Sequence, residues 1–163
     1  MDELNSLDRA ALTSELFRCC ASDNWVQRML QEFPFEDVNN LVDASNRIWW
    51  GLRKDDWLQA FSAHPKIGDN EAVKQKVQSR PGSTSWEGEE QKGVNTATDR
   101  TKSELKDLNV AYEKKFGFIF LICATGKTAD EMLNSLKQRI NNSIDTEVNY
   151  CTTVLLSIII LLL

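Results

Sequence analysis

Histidine is almost missing from this chain. His64 is the single one among 163 residues. The four cysteines show no ligand spacing either: Cys19 and Cys20 are adjacent, and Cys123 and Cys151 stand far from them and from each other. A zinc site of ordinary Cys/His type would therefore lack ligands. The same spacing argues against a disulfide framework and for reduced thiols in an intracellular protein. Clustered basic charge is also lacking. "KKF" and "RPG" are too short to form a patch and the net charge is −5, so a nucleic-acid partner is not expected. The first residues, "MDELNSLDRAALTSEL", are acidic and amphipathic, without the basic start and apolar centre of a signal peptide. No internal repeat is visible. The longest apolar run, residues 154–163, is broken only by Ser157 and is too short for a standard membrane span.

What is present is ordinary for a globular domain: 42% hydrophobic and 26% charged residues, with five Trp and seven Phe to anchor a core. A chain of this length suits one domain. Its periodicity is mostly helical. Leu7, Ala11, Leu12, Leu16 and Cys20 recur at helical spacing, and "SDNWVQRMLQEFP" starts on capping residues, stops at Pro34 and aligns Trp25, Met29, Leu30 and Phe33. "FEDVNNLVDASNRIWWGL" sets Val38, Leu41, Val42, Ser45, Ile48, Trp49 and Leu52 on one stripe. "KDDWLQAFSA" gives Trp57, Leu58 and Phe61. "NEAVKQKVQ" reads as a short polar helix, "SRPGSTS" as a loop, and a long helix is expected from about 86 to 114. "FGFIFLICA" fits either a buried strand or a buried helix; with no partner strand evident, helix is favoured. "TADEMLNSLKQRI" opens with a capping box, Thr128 and Glu131. The fold class expected is all-α, a single multi-helix bundle domain.

Three stretches bear on chemistry. "ATGKT" contains Gly-Lys-Thr, but position 121, where a phosphate loop needs glycine, is Leu, so a turn into a capped helix is the plainer reading. Backbone amides at that turn could still hold a carboxylate or carbonyl. In "STSWEGEEQKGV", Glu87, Glu90 and Gln91 fall on one helical face. Glu90 and Gln91 would suit a planar heterocycle rich in N–H and C=O groups; a solvated acidic helix start is the bland alternative. In "AHPKIGD", His64 stands at an expected helix end, and Pro65 biases it toward extended backbone. A lone histidine is usually structural, yet imidazole is the side chain best suited to moving protons near neutrality.

Together "HPKIGD", "EEQ" and "FGFIFLICATGKTADEML" resemble the 2-oxo-4-hydroxy-4-carboxy-5-ureidoimidazoline (OHCU) decarboxylase family, in order and in spacing, over roughly residues 5 to 148. The resemblance implies an all-α bundle and loss of CO2 from a five-membered ureido-imidazoline to give (S)-allantoin in urate degradation, with neither metal nor organic cofactor. It implies that His64 and Glu90 are catalytic. Pro65, Glu87 and Gln91 would line the substrate with the backbone of Phe120, Leu121, Ile122, Cys123 and Ala124. Many members carry Ser where this chain has Glu87, so Glu87 is expected to line the site rather than catalyse. The resemblance also implies a small-molecule substrate, allows a homodimer, and points to a peroxisomal or cytoplasmic protein, although "LLL" is not a peroxisomal tripeptide. Some members are fused to a transthyretin-like hydroxyisourate hydrolase domain, which is expected to be absent here.

The expected division is a decarboxylase-like domain over 1–148 and an atypical apolar tail over 149–163. Relatives usually continue there as a charged amphipathic helix. The tail is expected either as an altered C-terminus or as a short membrane-associating segment, with its β-branched run exposed; a membrane partner is not favoured. The alternative to an enzyme is a helical protein-interaction module, using the same apolar anchors and acidic face without catalysis.

Overall fold

Five helices start on a residue whose side-chain oxygen accepts a hydrogen bond from the helix's own first turn, as the short polar residues at these positions dictate. The caps are Asp8, Ser22, Asp37, Thr98 and Thr128. The computed structural model describes residues 1–64, 66–67, 97–124 and 126–163. Among these residues there are eight helices and no strand: α1 (Asp2–Asn5), α2 (Arg9–Cys19), α3 (Asp23–Glu32), α4 (Val38–Trp50), α5 (Lys54–Ser62), α6 (Asp99–Phe116), α7 (Ala129–Arg139) and α8 (Ile144–Leu162). The all-α expectation holds. "NEAVKQKVQ" and "SRPGSTS" lie outside the described residues.

The chain divides into two compact units. The first holds residues 1–63 and 155–163. Its centre is α3, which contacts α2, α4 and α5. The stripe read from "NWVQRML" is the reason: Trp25 and Met29 are fully buried, and Leu30 nearly so. Trp49 and Phe61 close the same core, and the Trp57 Nε1–H donates to the Trp49 carbonyl at 3.0 Å. One stripe member fails: Val38 is 57% exposed, because it opens α4, where no turn precedes it to cover its side.

The second unit holds residues 64–154 and pairs α6 with α7. Along α6, Leu105, Asn109, Tyr112 and Phe116 are buried at helical spacing. Two expectations are corrected here. The helix expected from about 86 to 114 is interrupted ahead of Asp99, where Thr98 is in an extended conformation and its hydroxyl caps the Thr101 amide; the part expected before residue 97 lies outside the described residues. The "FGFIFLICA" stretch is buried as expected but is not a helix. Gly117 adopts a left-handed φ of 80° that ends α6, and residues 118–124 follow without regular secondary structure. Phe118 and Phe120 meet the Tyr112 ring edge-on, at centroid distances of 6.1 and 5.4 Å.

Helix α8 runs through position 148 without a break. Val148, Cys151, Thr152, Leu155, Leu156, Ile158 and Ile159 are buried, so one face of the apolar run expected to be exposed is covered, while Leu161 remains 79% exposed. Repeats of three and four residues (148, 151, 155, 159) give one continuous stripe, and that period explains its burial. By length and composition the same 19-residue helix would suffice to cross a membrane.

The α7 capping box forms as its sequence requires. Glu131 receives the Thr128 amide at 2.7 Å, and the Thr128 hydroxyl receives the Glu131 amide at 3.2 Å. Thr128→Ala is expected to lower stability by about 1 kcal/mol. That should appear as a lower urea midpoint at unchanged slope.

Candidate functional site

Helix α5 ends at Ser62, with Ala63 as its C-cap, and His64 follows, half-buried. The next described residues tie this segment to α6. The Lys66 ammonium meets the Glu113 carboxylate at 2.6 Å. The Asn109 side-chain amide donates to the Ile67 carbonyl at 3.2 Å and to the Leu105 carbonyl, one turn back in α6, at 2.9 Å. Asn109 and Ile67 are buried, so the amide satisfies a carbonyl that water reaches poorly. The Lys66–Glu113 pair is exposed, and surface pairs of this kind contribute little. Lys66→Ala is expected to change stability by less than about 1 kcal/mol, read from the urea midpoint.

On another side of α6, Tyr112 belongs to a buried polar cluster. Its hydroxyl donates to the Glu147 carboxylate in a short bond. The Arg139 guanidinium reaches the same carboxylate through Nη2 at 2.8 Å and through Nε at 3.2 Å to each oxygen. Asn142 Nδ2 adds a fourth donor at 2.7 Å. Burial opposes the Glu147 charge, but the bonds from Arg139, Tyr112 and Asn142 outweigh it and hold the carboxyl below its ordinary range. Burial works against the Arg139 charge too, and the Glu147 bond overrides it and raises the group further. Tyr112 is pushed above its ordinary range, mainly by burial.

Arg139 does one thing more. Its Nη1 donates to the Leu121 carbonyl at 2.7 Å, which anchors the extended stretch. The guanidinium also stacks near Phe120 and Tyr150, 4.6 and 3.9 Å from the ring centroids. Phe120, Leu121, Ile122 and Ala124 are buried, whereas Cys123 is exposed. The turn read from "ATGKT" is present: Gly126 takes a positive φ of 75° and the Lys127 amide bonds to the Ala124 carbonyl at 3.0 Å, ahead of the α7 cap.

Of the residues singled out from sequence, His64 thus stands just before two residues attached to α6, and the 120–124 stretch is held by a Phe120 ring contact to α6 and by Arg139 at the end of α7. Pro65, Glu87, Glu90 and Gln91 lie outside the described residues. Sequence reasoning missed Asn109, Tyr112, Arg139, Glu147 and Cys151. Arg139 reads as an ordinary basic residue in the last turn of a helix, and nothing in "QRINNSIDTEV" marks a buried pair formed across the α7–α8 turn.

The four thiols differ in reach. Cys123 is exposed, while burial pushes Cys19 up to about 11 and Cys20 up to about 12. Iodoacetamide at pH 8 is expected to modify Cys123 well before the other three, as peptide mass spectrometry would record.

The OHCU decarboxylase family profile matches residues 5–161. The chain is 38% identical over 125 residues to the uric acid degradation bifunctional protein of Arabidopsis thaliana, covering 76% of this chain and 37% of that protein. It is 23% identical over 149 residues to the 2-oxo-4-hydroxy-4-carboxy-5-ureidoimidazoline decarboxylase of Haloferax volcanii, covering 90% of this chain and 83% of that one. Among solved structures it is similar to an OHCU decarboxylase crystallised in the presence of (S)-allantoin, with a TM-score of 0.74 and 33% identity, covering 90% of this chain and 92% of that one. An (S)-allantoin synthase shares the fold at 19% identity, with a TM-score of 0.70, covering 97% of this chain and 50% of that one. The chain spans 37% of the Arabidopsis relative and 28% of two bifunctional relatives from Bacillus.

Proposed function

The chain belongs to the OHCU decarboxylase family, and from that premise we infer that it is a carboxy-lyase converting OHCU to (S)-allantoin in urate degradation. The observation that carries this is the likeness to an OHCU decarboxylase crystallised with (S)-allantoin, at 33% identity over 90% of the chain. The bifunctional relatives join this domain to a second activity in a longer protein, which accords with the partner domain anticipated from sequence.

The chemistry needs little from the protein beyond orientation and proton handling. In the substrate, C4 carries both the carboxylate and a hydroxyl, and C5 forms a C=N bond. When the C4–carboxylate bond breaks, its electron pair forms C4=C5, and the C=N pair moves onto nitrogen, which takes a proton. The resulting C4 enol then loses its hydroxyl proton to become the carbonyl, while C5 gains a proton on one face. One CO2 leaves and one proton is taken up in all, because the substrate reacts as its carboxylate. The enzyme accelerates this by stabilising the developing charge and delivering the C5 proton to a single face. In this reading His64 polarises the C4 hydroxyl and takes part in proton transfer. Glu90 holds ureido or ring N–H groups and orients His64; Pro65, Glu87 and Gln91 line the ring. Backbone groups of residues 120–124 bind a carbonyl or amide edge. The support from geometry is that Lys66 and Ile67, just after His64, and Phe120 all contact one helix, α6, through Glu113, Asn109 and Tyr112.

The test is urate oxidation coupled to 5-hydroxyisourate hydrolysis, with the chain added last and circular dichroism following the product. Rapid growth of an (S)-allantoin signal is expected, against slow racemic product without the chain. An unchanged rate and racemic product would refute the reading and favour the interaction-module alternative.

A further inference from the structure

The network around Arg139 holds the backbone carbonyl of one residue. The Leu121 carbonyl accepts from Arg139 Nη1 at 2.7 Å. Arg139 Nη2 also donates to Cys151 at 3.3 Å, which helps to fix the guanidinium. A trans peptide is planar, with its C=O and N–H pointing in opposite directions. With the Leu121 carbonyl turned toward Arg139, the Ile122 N–H must point away. One donor is therefore directed opposite to the network, in the stretch that the proposed function assigns to substrate. A ureido or ring carbonyl offers the complementary acceptor.

We propose that Arg139, its guanidinium braced by Cys151, is a positioning residue that fixes Leu121 so that the Ile122 amide presents a hydrogen-bond donor to a ureido or ring carbonyl of the substrate. The assignment rests on the proposed function. Arg139 suits the role because its plane is set on all sides: Glu147 takes Nε and Nη2, Phe120 and Tyr150 lie against its faces, and Nη1 is left directed at Leu121. A lysine could keep the charge pair with Glu147, but a single ammonium cannot reproduce a fork aimed at two acceptors.

Steady-state kinetics on OHCU with Arg139→Lys, Cys151→Ala and a packing comparator, Leu136→Ala, test this. Leu136 is fully buried on α7 and has no part in the network. A backbone donor that holds substrate and transition state alike affects KM more than kcat. Arg139→Lys is expected to raise KM on the order of tenfold, with kcat far less changed. Cys151→Ala should move KM in the same direction, and Leu136→Ala should lower the melting temperature without raising KM. If Arg139→Lys does not fold, Cys151→Ala decides alone. An unchanged KM in the folded network variants overturns the proposal, as does an equal rise in Leu136→Ala, which would signal general loosening. An inactive wild-type chain would instead overturn the functional reading, and this assignment with it.

Discussion

Replacing Glu147 by alanine is expected to destabilise the protein by about 3–5 kcal/mol, the loss typical when one partner of a buried ion pair is removed. Glu147 is fully buried and the Arg139 side chain is only 7% exposed. Without the carboxylate, the guanidinium would keep its desolvation cost and lose its main counter-charge. Tyr112 and Asn142 would lose their acceptor at the same time. The pH dependence gives a second reading of the same pair. The Glu147 carboxyl lies below its ordinary range in the folded protein, so its stabilisation is fully present above the unfolded value of about 4.3. It is lost as pH falls through the lower, folded value. The wild type should therefore lose stability more steeply than Glu147→Gln as the solution is acidified below about pH 4. Urea titrations at stepped pH would show this as converging midpoints. Parallel curves would mean that Glu147 does not carry the acid sensitivity.

The second large effect concerns catalysis. His64→Ala is expected to lower kcat/KM for OHCU by about 10²–10⁴-fold, the range for loss of a general acid–base group. The allantoin that still forms should be racemic, because the uncatalysed reaction delivers the proton to either face. The melting temperature should change little, since His64 is half-buried rather than part of the core. This pairing of a large kinetic loss with a small stability change separates a catalytic histidine from a structural one. Wild-type rate and optical signal from the variant would sink the assignment.

The contrast between the two variants follows from how each residue announces itself in sequence. His64 is visible because histidine is scarce here and stands before a proline. The helices were legible for similar local reasons. Trp25, Met29 and Leu30 share a face, and Ser22 and Thr128 occupy cap positions whose side chains act on the next few residues. Glu147 and Arg139 carry no such mark. Their partners come from α6, from the extended stretch and from the turn between α7 and α8, and no periodicity encodes contacts that distant.

The 118–124 stretch shows where local inference ended. Its apolar run correctly gave burial, but burial alone does not choose between helix and extended chain. Gly117 supplied the break, and the freed Leu121 carbonyl found its partner in Arg139 rather than in a neighbouring strand. The apolar C-terminus is the complementary case. Read as a string of Ile and Leu it looked exposed and hazardous, but the three- and four-residue period of Val148, Cys151, Leu155 and Ile159 turns it into a core-facing helix stripe.

By itself the sequence determined the all-α class, most helix starts, the anchors of the core and the family to which the chain belongs, because caps, periodicity and short motifs act over a few residues. Only the tertiary structure decided that an arginine at the end of α7 is buried against Glu147 and grips the Leu121 carbonyl. A buried charge must find its partners wherever the fold brings them, and desolvation makes that choice only once the helices have packed.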